Sequence, residues 1–305
     1  PAETAGMKVG AELLKVDGVD ISTAIGNVKP FTPQSTDYGL RYEQTIFLLR
    51  APVDAKRTFT FANPDSSEQT VELTSVYEFD SLFATYLGGD YDEFALPVEF
   101  EILDSGIGYV RINSNSDDLN LVYRLFERAM VTFEKAEVLG LIIDMRLNFG
   151  GSSMGLAGFL TDQEITMGQL QYYSDKTGQF ENEGDPDVVF PNLRQFRFDK
   201  MVLLVDQFCF SACELEAYAF SQVPGMIVMG QFPTAGVEAE TARGSFKLPA
   251  GIELTIPTGR FILPDGSIFL EGKGVQPAII LPVTAESVLS EDDVVLKAAE
   301  EEILY

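Results

Sequence analysis

The sequence contains no histidine and no tryptophan, and only two cysteines, Cys209 and Cys213, in 305 residues. Two thiols without imidazole cannot complete the tetrahedral set that zinc takes, so no metal centre is expected, and no cofactor is read from the residues. Basic side chains are scarce: 21 Lys and Arg stand against 47 Asp and Glu, for a formal net charge of -26. A field of that sign repels phosphate backbones and anionic lipid surfaces, which argues against a nucleic-acid partner. The acidic residues are spread along the chain, as at 181–185 and 291–293. They read as a solvated surface, with a salty habitat as the sharper alternative. No apolar run approaches the ~18 residues that cross a bilayer, and the first residues lack the basic-then-apolar pattern of a leader. The chain opens on Pro1-Ala2-Glu3-Thr4 without an initiator methionine, and further residues are expected upstream of it.

What is present describes a folded protein. Hydrophobic residues at 46% and charged residues at 22% leave room for a well-buried core and argue against disorder or a coiled coil. The length suits one large domain, or a large and a small one.

Near the N-terminus, residues 12–16 alternate and end in Asp17-Gly18, a dipeptide suited to tight turns. A helix is expected over 42–49. Two alternating stretches, 58–62 and 70–73, follow with Asn63-Pro64-Asp65 between them, as in a hairpin. Residues 79–96, rich in aromatic and acidic side chains around Gly88-Gly89, read as a linker. Beyond it the patterns change. Residues 107–113 alternate like a strand, and 118–137 place Leu121, Leu125, Ala129 and Phe133 at helical spacing. The run 139–145 is nearly continuously apolar, as expected of a strand covered on both faces. Further strands are read at 201–205 and 227–229, with helices over 211–223 and 292–304. Strands alternating with helices predict an α/β fold with at least partly parallel sheet. The expected domains are 1–78, a small β-rich module; 79–96, the linker; and 97–305, the larger core.

Four segments carry potential chemistry. Residues 203–214 run from a buried strand through a short loop into a helix that starts at Ser211. A serine there stands above the strand ends beside unpaired N–H groups that attract negative charge. The local pattern alone reads first as a helix cap, since Ser211 with Glu214 fits a capping box. Residues 141–151 form a buried strand that ends in a polar turn with Gly150-Gly151, whose glycines allow a sharp turn and exposed N–H groups. Asp144 and Arg146 read as a structural pair at that strand end. Residues 230–236 and 270–279 are glycine-containing loops. Cys209 and Cys213 read as small buried side chains flanking Ser211, with a local disulfide as the alternative.

In order along the chain, these segments read D-M-R-L-N-F-G-G, S-A-C-E, G-Q-F-P-T-A-G and E-G-K-G-V-Q-P-A-I. The set resembles the carboxyl-terminal processing (tail-specific) serine peptidases and their tricorn-core relatives. Their pattern is D-L-R-x-N-x-G-G, S-A-S-E, G-E-x-T-x-G and E-G-x-G-V-x-P-D-I. Residues 5–21 resemble the second half of a PDZ domain, a module that binds an extended peptide at a sheet edge. The resemblance implies a ClpP/crotonase-like core with mixed sheet and flanking helices, preceded by a partial PDZ-like domain. It implies that Ser211 is the nucleophile and that the N–H of Ala212, with that of Gly150 or Gly151, forms the oxyanion hole. Polypeptide substrates and a periplasmic, envelope-anchored or secreted bacterial location follow from the same resemblance.

The sequence departs from the pattern at several points. The tail-specific branch activates its serine with a lysine in the loop after G-E-x-T, whereas residues 234–238 read Thr-Ala-Gly-Val-Glu. That loop resembles the T-A-G form of the tricorn-like branch, which implies a histidine base upstream of Pro1 and Glu271 as the acid that orients it. Lys273 is not expected to be the base. Gln231 and Ala278 stand where the pattern has glutamate and aspartate. The expected activity is a serine endopeptidase acting on unfolded or carboxyl-terminal segments through an acyl-enzyme on Ser211. The alternatives are an inactive peptide-binding protein of the same fold, and an assembly module in which Ser211 only caps its helix.

Overall fold

The computed structural model describes every residue except 31–33, 65–67, 82–91, 93, 153–154 and 239. Two compact units emerge: Pro1–Glu93 with Val283–Asp293, and Phe94–Pro282 with Val294–Tyr305.

The first unit is built on a four-stranded antiparallel sheet of order β2-β1-β3-β4. Its strands are β1 (Glu12–Val16), β2 (Val19–Asp20), β3 (Lys56–Ala62) and β4 (Glu68–Thr74). Asp17 and Gly18 turn β1 into β2 with positive φ, as the dipeptide predicts. Helices α1 (Ile21–Gly26) and α2 (Asp37–Leu48) accompany the sheet, and Val16, Ala24, Ile25, Leu48 and Phe59 form the core. The helix expected over 42–49 thus starts earlier, where Thr36 caps it by accepting from Gly39 N–H. Much of the expected linker lies outside the described residues.

The second unit carries a six-stranded sheet of order β16-β12-β11-β7-β6-β5. The strands are β5 (Val98–Ile102), β6 (Gly108–Ile112), β7 (Leu141–Asp144), β11 (Met201–Leu204), β12 (Met226–Gly230) and β16 (Ile279–Ile280). All neighbours are parallel except the β5–β6 pair at the edge.

Helix α3 (Leu119–Ala136) connects β6 to β7. Its start is capped by the Asp118 side chain, which accepts from Leu121 N–H, and its end is marked by Glu137 in the left-handed region. Val122, Phe126, Ala129, Met130 and Phe133 share one face of α3 and pack with Leu141, Ile143 and Leu203 of the sheet. The alternate residues Ile142, Val202 and Leu204 point the other way, onto Val295, Ala299 and Ile303 of the C-terminal helix Val294–Leu304. Both faces are therefore covered, which is why β7 and β11 read as unbroken apolar runs.

Two features carried no clear signal in the sequence. A second, antiparallel sheet joins β8 (Ile165–Ser174) to β9 (Gln179–Asn182), β10 (Asp187–Val189) and β15 (Gly259–Ile262), and a ribbon pairs β13 (Ser245–Lys247) with β14 (Glu253–Thr255). Much of these strands is exposed, so they lack the alternation that burial of one face imposes.

Candidate active site

The parallel strands β7 and β11 end side by side, Asp144 opposite Leu204, and the chain leaves each of them in a tight turn. In an open parallel sheet this carboxyl edge is where ligands bind. After β11 the turn leads into α4 (Ala212–Ser221), with Ser211 as the residue before its first turn.

Ser211 has φ 57° and ψ -129°, and its side chain makes no capping bond. The expected capping box is not formed. A non-glycine residue held in this region costs about 1–3 kcal/mol, and such conformations persist only where their surroundings over-determine them. The surroundings do so here. Ser211 N–H donates to Val237 O at 3.0 Å, and Ala235 N–H donates to Cys209 O at 2.9 Å. Asp206 Oδ1 accepts from the N–H groups of Phe208 and Cys209. Cys209 and Cys213 are joined as a disulfide across the turn, with Cα atoms 5.3 Å apart, so the reading of two separate buried thiols is corrected. Both side chains are fully buried.

The turn after β7 closes on the same point. Gly150 has φ 81°, and a Cβ built on it would lie 2.6 Å from Phe210 O, 3.1 Å from Ser211 Cβ and 3.3 Å from Ala212 N. Only glycine lets the two backbones come this close. Phe149 packs its ring against Phe208 and Phe210, with centroids 6.4 and 5.8 Å apart. Asp206 ties the turns together through Oδ2, which accepts from Leu147 N–H at 3.0 Å; burial raises this carboxyl to about 6.

Gly150 N–H donates to Asn148 Oδ1 at 3.0 Å. Gly151, by contrast, is exposed. Neither its N–H nor that of Ala212, at the start of α4, has a hydrogen-bond partner among the described residues. A helix start leaves such donors open by construction.

The loops of the third and fourth motifs complete the site. Glu214 is buried, and instead of capping α4 it reaches out to the 234–237 loop. Its Oε1 accepts from Thr234 Oγ1 at 2.6 Å and Gly236 N–H at 2.8 Å, and its Oε2 accepts from Val237 N–H at 2.7 Å. Thr234 Oγ1 also accepts from Val275 N–H at 2.6 Å, and Gly272 N–H donates to Gly236 O at 2.8 Å. The loop is thereby clamped between α4 and residues 271–275.

Glu271 is half-buried, and its Oε2 accepts from Glu238 N–H at 2.7 Å. It stands beside the loop that holds the Ser211 amide. Lys273 is exposed. Desolvation raises Glu214 to about 7 and Glu238 to about 8, with the nearby carboxylates, Glu271 among them, pushing both the same way. Glu238 Oε2 is buried and has no hydrogen-bond partner among the described residues.

Asp144 accepts from Tyr109 Oη at 2.8 Å and pairs with Arg146 at 2.6 Å. It forms the structural pair expected at the strand end, and burial beside Asp144 raises the Tyr109 hydroxyl well above its ordinary range. One turn along α4 from Ser211, Leu215 borders a cavity of about 480 Å³ whose lining mixes apolar Met167, Val189 and Phe190 with polar Tyr123, Asp187 and Asn192. Among the described residues no cluster of three or more acidic or thiol side chains is placed to hold a metal ion, and no helix is long and apolar enough to cross a membrane.

The structural roles of Asp206, Glu214 and Asn148 were not identified from the sequence. Glu214 was seen only as a capping partner, and a polar residue in a turn gives no local sign of the distant amides it will bind.

Known structures share this fold. Mature CPAF superposes with a TM-score of 0.65 at 16% identity, over 92% of this chain and 74% of that one. A candidate peptidase from Parabacteroides merdae ATCC 43184 superposes with a TM-score of 0.57 at 21% identity, over 95% of this chain and 90% of that one. At these identities the likeness is one of fold. No curated protein sequence matches. The model of Peptidase family S41 matches residues 106–281, more than half of the chain and all four motifs, and the chain belongs to that family of serine hydrolases.

Proposed function

We propose that the protein is an endopeptidase that cleaves unfolded or carboxyl-terminal polypeptide segments through an acyl-enzyme on Ser211. The observation that carries this reading is the strained, uncapped turn of Ser211, met closely by Gly150 of the neighbouring strand end at the carboxyl edge of the sheet. Ser211 Oγ attacks the scissile carbonyl carbon and its proton passes to a general base. The N–H groups of Gly151 and Ala212 receive the developing oxyanion, a contribution of ~3 kcal/mol for a single donor. As the C–N bond breaks, the base returns the proton to the leaving amine, and water then hydrolyses the ester.

The base in this reading is a histidine upstream of these 305 residues, oriented by Glu271. Two observations support it: the 234–238 loop holds no lysine, and Lys273 is exposed. We place the protein in the periplasm, anchored to the envelope, or secreted; a disulfide beside the nucleophile suits such an oxidising compartment.

The test is to incubate the full-length protein with an unfolded polypeptide and identify new termini by mass spectrometry. Cleavage by the wild type and none by Ser211→Ala supports the peptidase. The lack of any histidine in this chain favours a second reading, a peptide-binding protein that keeps the fold. Saturable peptide binding without cleavage by the full-length wild type would establish that one instead.

A further inference from the structure

The turn that presents Ser211 is bracketed by the only two cysteines of the chain, and they are bonded to each other. The ring they close contains Phe210, Ser211 and Ala212. These residues supply the carbonyl packed against Gly150, the candidate nucleophile and one of the open amides. Cys209 is anchored on the strand side, its N–H on Asp206 Oδ1 and its carbonyl on Ala235 N–H. Cys213 is anchored on the helix side, in the first turn of α4, with its N–H donating to Phe210 O at 3.3 Å.

We infer that the Cys209–Cys213 disulfide is a positioning element, which holds Ser211 in its attacking conformation and confines full peptidase activity to the oxidised protein. The inference rests on the reading of Ser211 as nucleophile. A residue at φ 57° and ψ -129° relaxes toward ordinary backbone when a constraint is released. Relaxation at Ser211 swings both its Oγ and the following Ala212 N–H, so the nucleophile and an oxyanion donor lose register with Gly151 together. Misplacement by about 1 Å costs on the order of 100-fold in rate. The rest of the site does not depend on the disulfide: Glu214 clamps the 234–237 loop and Asp144 its arginine without it. Loss of the bond is therefore read in the chemical step and not in substrate affinity.

Reduction is balanced by a dithiol reagent. It delivers two electrons and two protons, the S–S bond becomes two thiols, and the reagent closes to its own disulfide. With both sulfurs buried, reduction proceeds through local opening and is slow.

The experiment uses the full-length protein, a fluorophosphonate probe, and dithiothreitol followed through to loss of the disulfide by mass. When the probe reacts, Ser211 Oγ bonds to phosphorus, fluoride leaves, and the hydroxyl proton goes to the base. The oxidised protein is expected to be labelled at least about 10-fold faster than the reduced one. The difference should lie in the maximal inactivation rate, with the half-saturating probe concentration unchanged, and reoxidation should restore it. The double variant C209A/C213A keeps the comparison available if the buried bond resists the reagent. It should match the reduced protein, be indifferent to dithiothreitol, and be labelled slowly well below its melting temperature. Equal rates for oxidised, reduced and double-variant protein, with only a lower melting temperature, would overturn the inference and leave the peptidase reading intact. An oxidised protein that is never labelled overturns both.

Discussion

Replacing Gly150 by alanine tests the contact that brings the two turns together. The substitution carries two costs. An alanine at φ 81° is strained by about 1–2 kcal/mol. Its Cβ would stand 2.6 Å from Phe210 O, whereas carbon and carbonyl oxygen settle no closer than ~3.3 Å. The turns must separate by about 0.7 Å, the difference between those two distances, and overpacking of this kind adds about 1–3 kcal/mol. The total loss of stability is about 2–5 kcal/mol. Because the atom that must move belongs to the residue before Ser211, the same shift reaches the nucleophile. Probe labelling should slow by about 10- to 100-fold. The assay pairs the second-order rate of fluorophosphonate labelling with thermal unfolding. A variant that melts earlier but is labelled at the wild-type rate would show that the contact supports the fold without positioning Ser211.

Three further outcomes follow from the hydrogen bonds and carboxyl groups of the site. Glu214→Gln puts an N–H₂ group in place of one of the two carboxyl oxygens, both of which now accept. One donor of the 234–237 loop is left unpaired, with a loss of about 1–3 kcal/mol in denaturant titration; an unchanged midpoint would remove Glu214 as the clamp. Glu238 binds its proton more tightly when folded, at about 8 against an ordinary 4.5, so the stability it contributes is complete below about 4.5 and is lost as the pH rises to about 8. The slope approaches about 1.4 kcal/mol per pH unit. Melting temperatures from pH 5 to 9 should diverge in favour of Glu238→Gln as the pH rises, and parallel curves would contradict the burial argument. Ser211→Ala removes no capping bond, so its stability should stay within about 0.5 kcal/mol of wild type; a loss of a full cap's worth would restore the capping reading.

The parts of this structure legible in the sequence are those where burial forces a pattern. Strands β7 and β11 are apolar on both faces because Ile142 and Ile143 meet different helical layers. Helix α3 shows its 3.6-residue period because a single stripe, from Val122 to Phe133, faces the sheet. Ser211 stands at the head of α4 as its pattern predicts, but that local pattern, Ser-x-x-Glu, by itself favours a plain cap. The cap fails for a tertiary reason: Glu214 is drawn away by three donors of a loop twenty residues further on. The disulfide was one of two open readings, since spacing alone does not tell whether two buried thiols face each other. The bond from Gly150 N–H to Asn148 Oδ1 was equally closed to the sequence, because it depends on the side chain of Asn148 folding back onto the first of the two glycine amides. The β8–β9–β10–β15 sheet left too little alternation to read.

Treatment of the intact full-length protein with a fluorophosphonate, followed by mass spectrometry of its peptides, addresses the nucleophile itself. The account predicts a single adduct, on the hydroxyl of Ser211. An unmodified Ser211 in folded, oxidised protein, or an adduct on another residue alone, would contradict it.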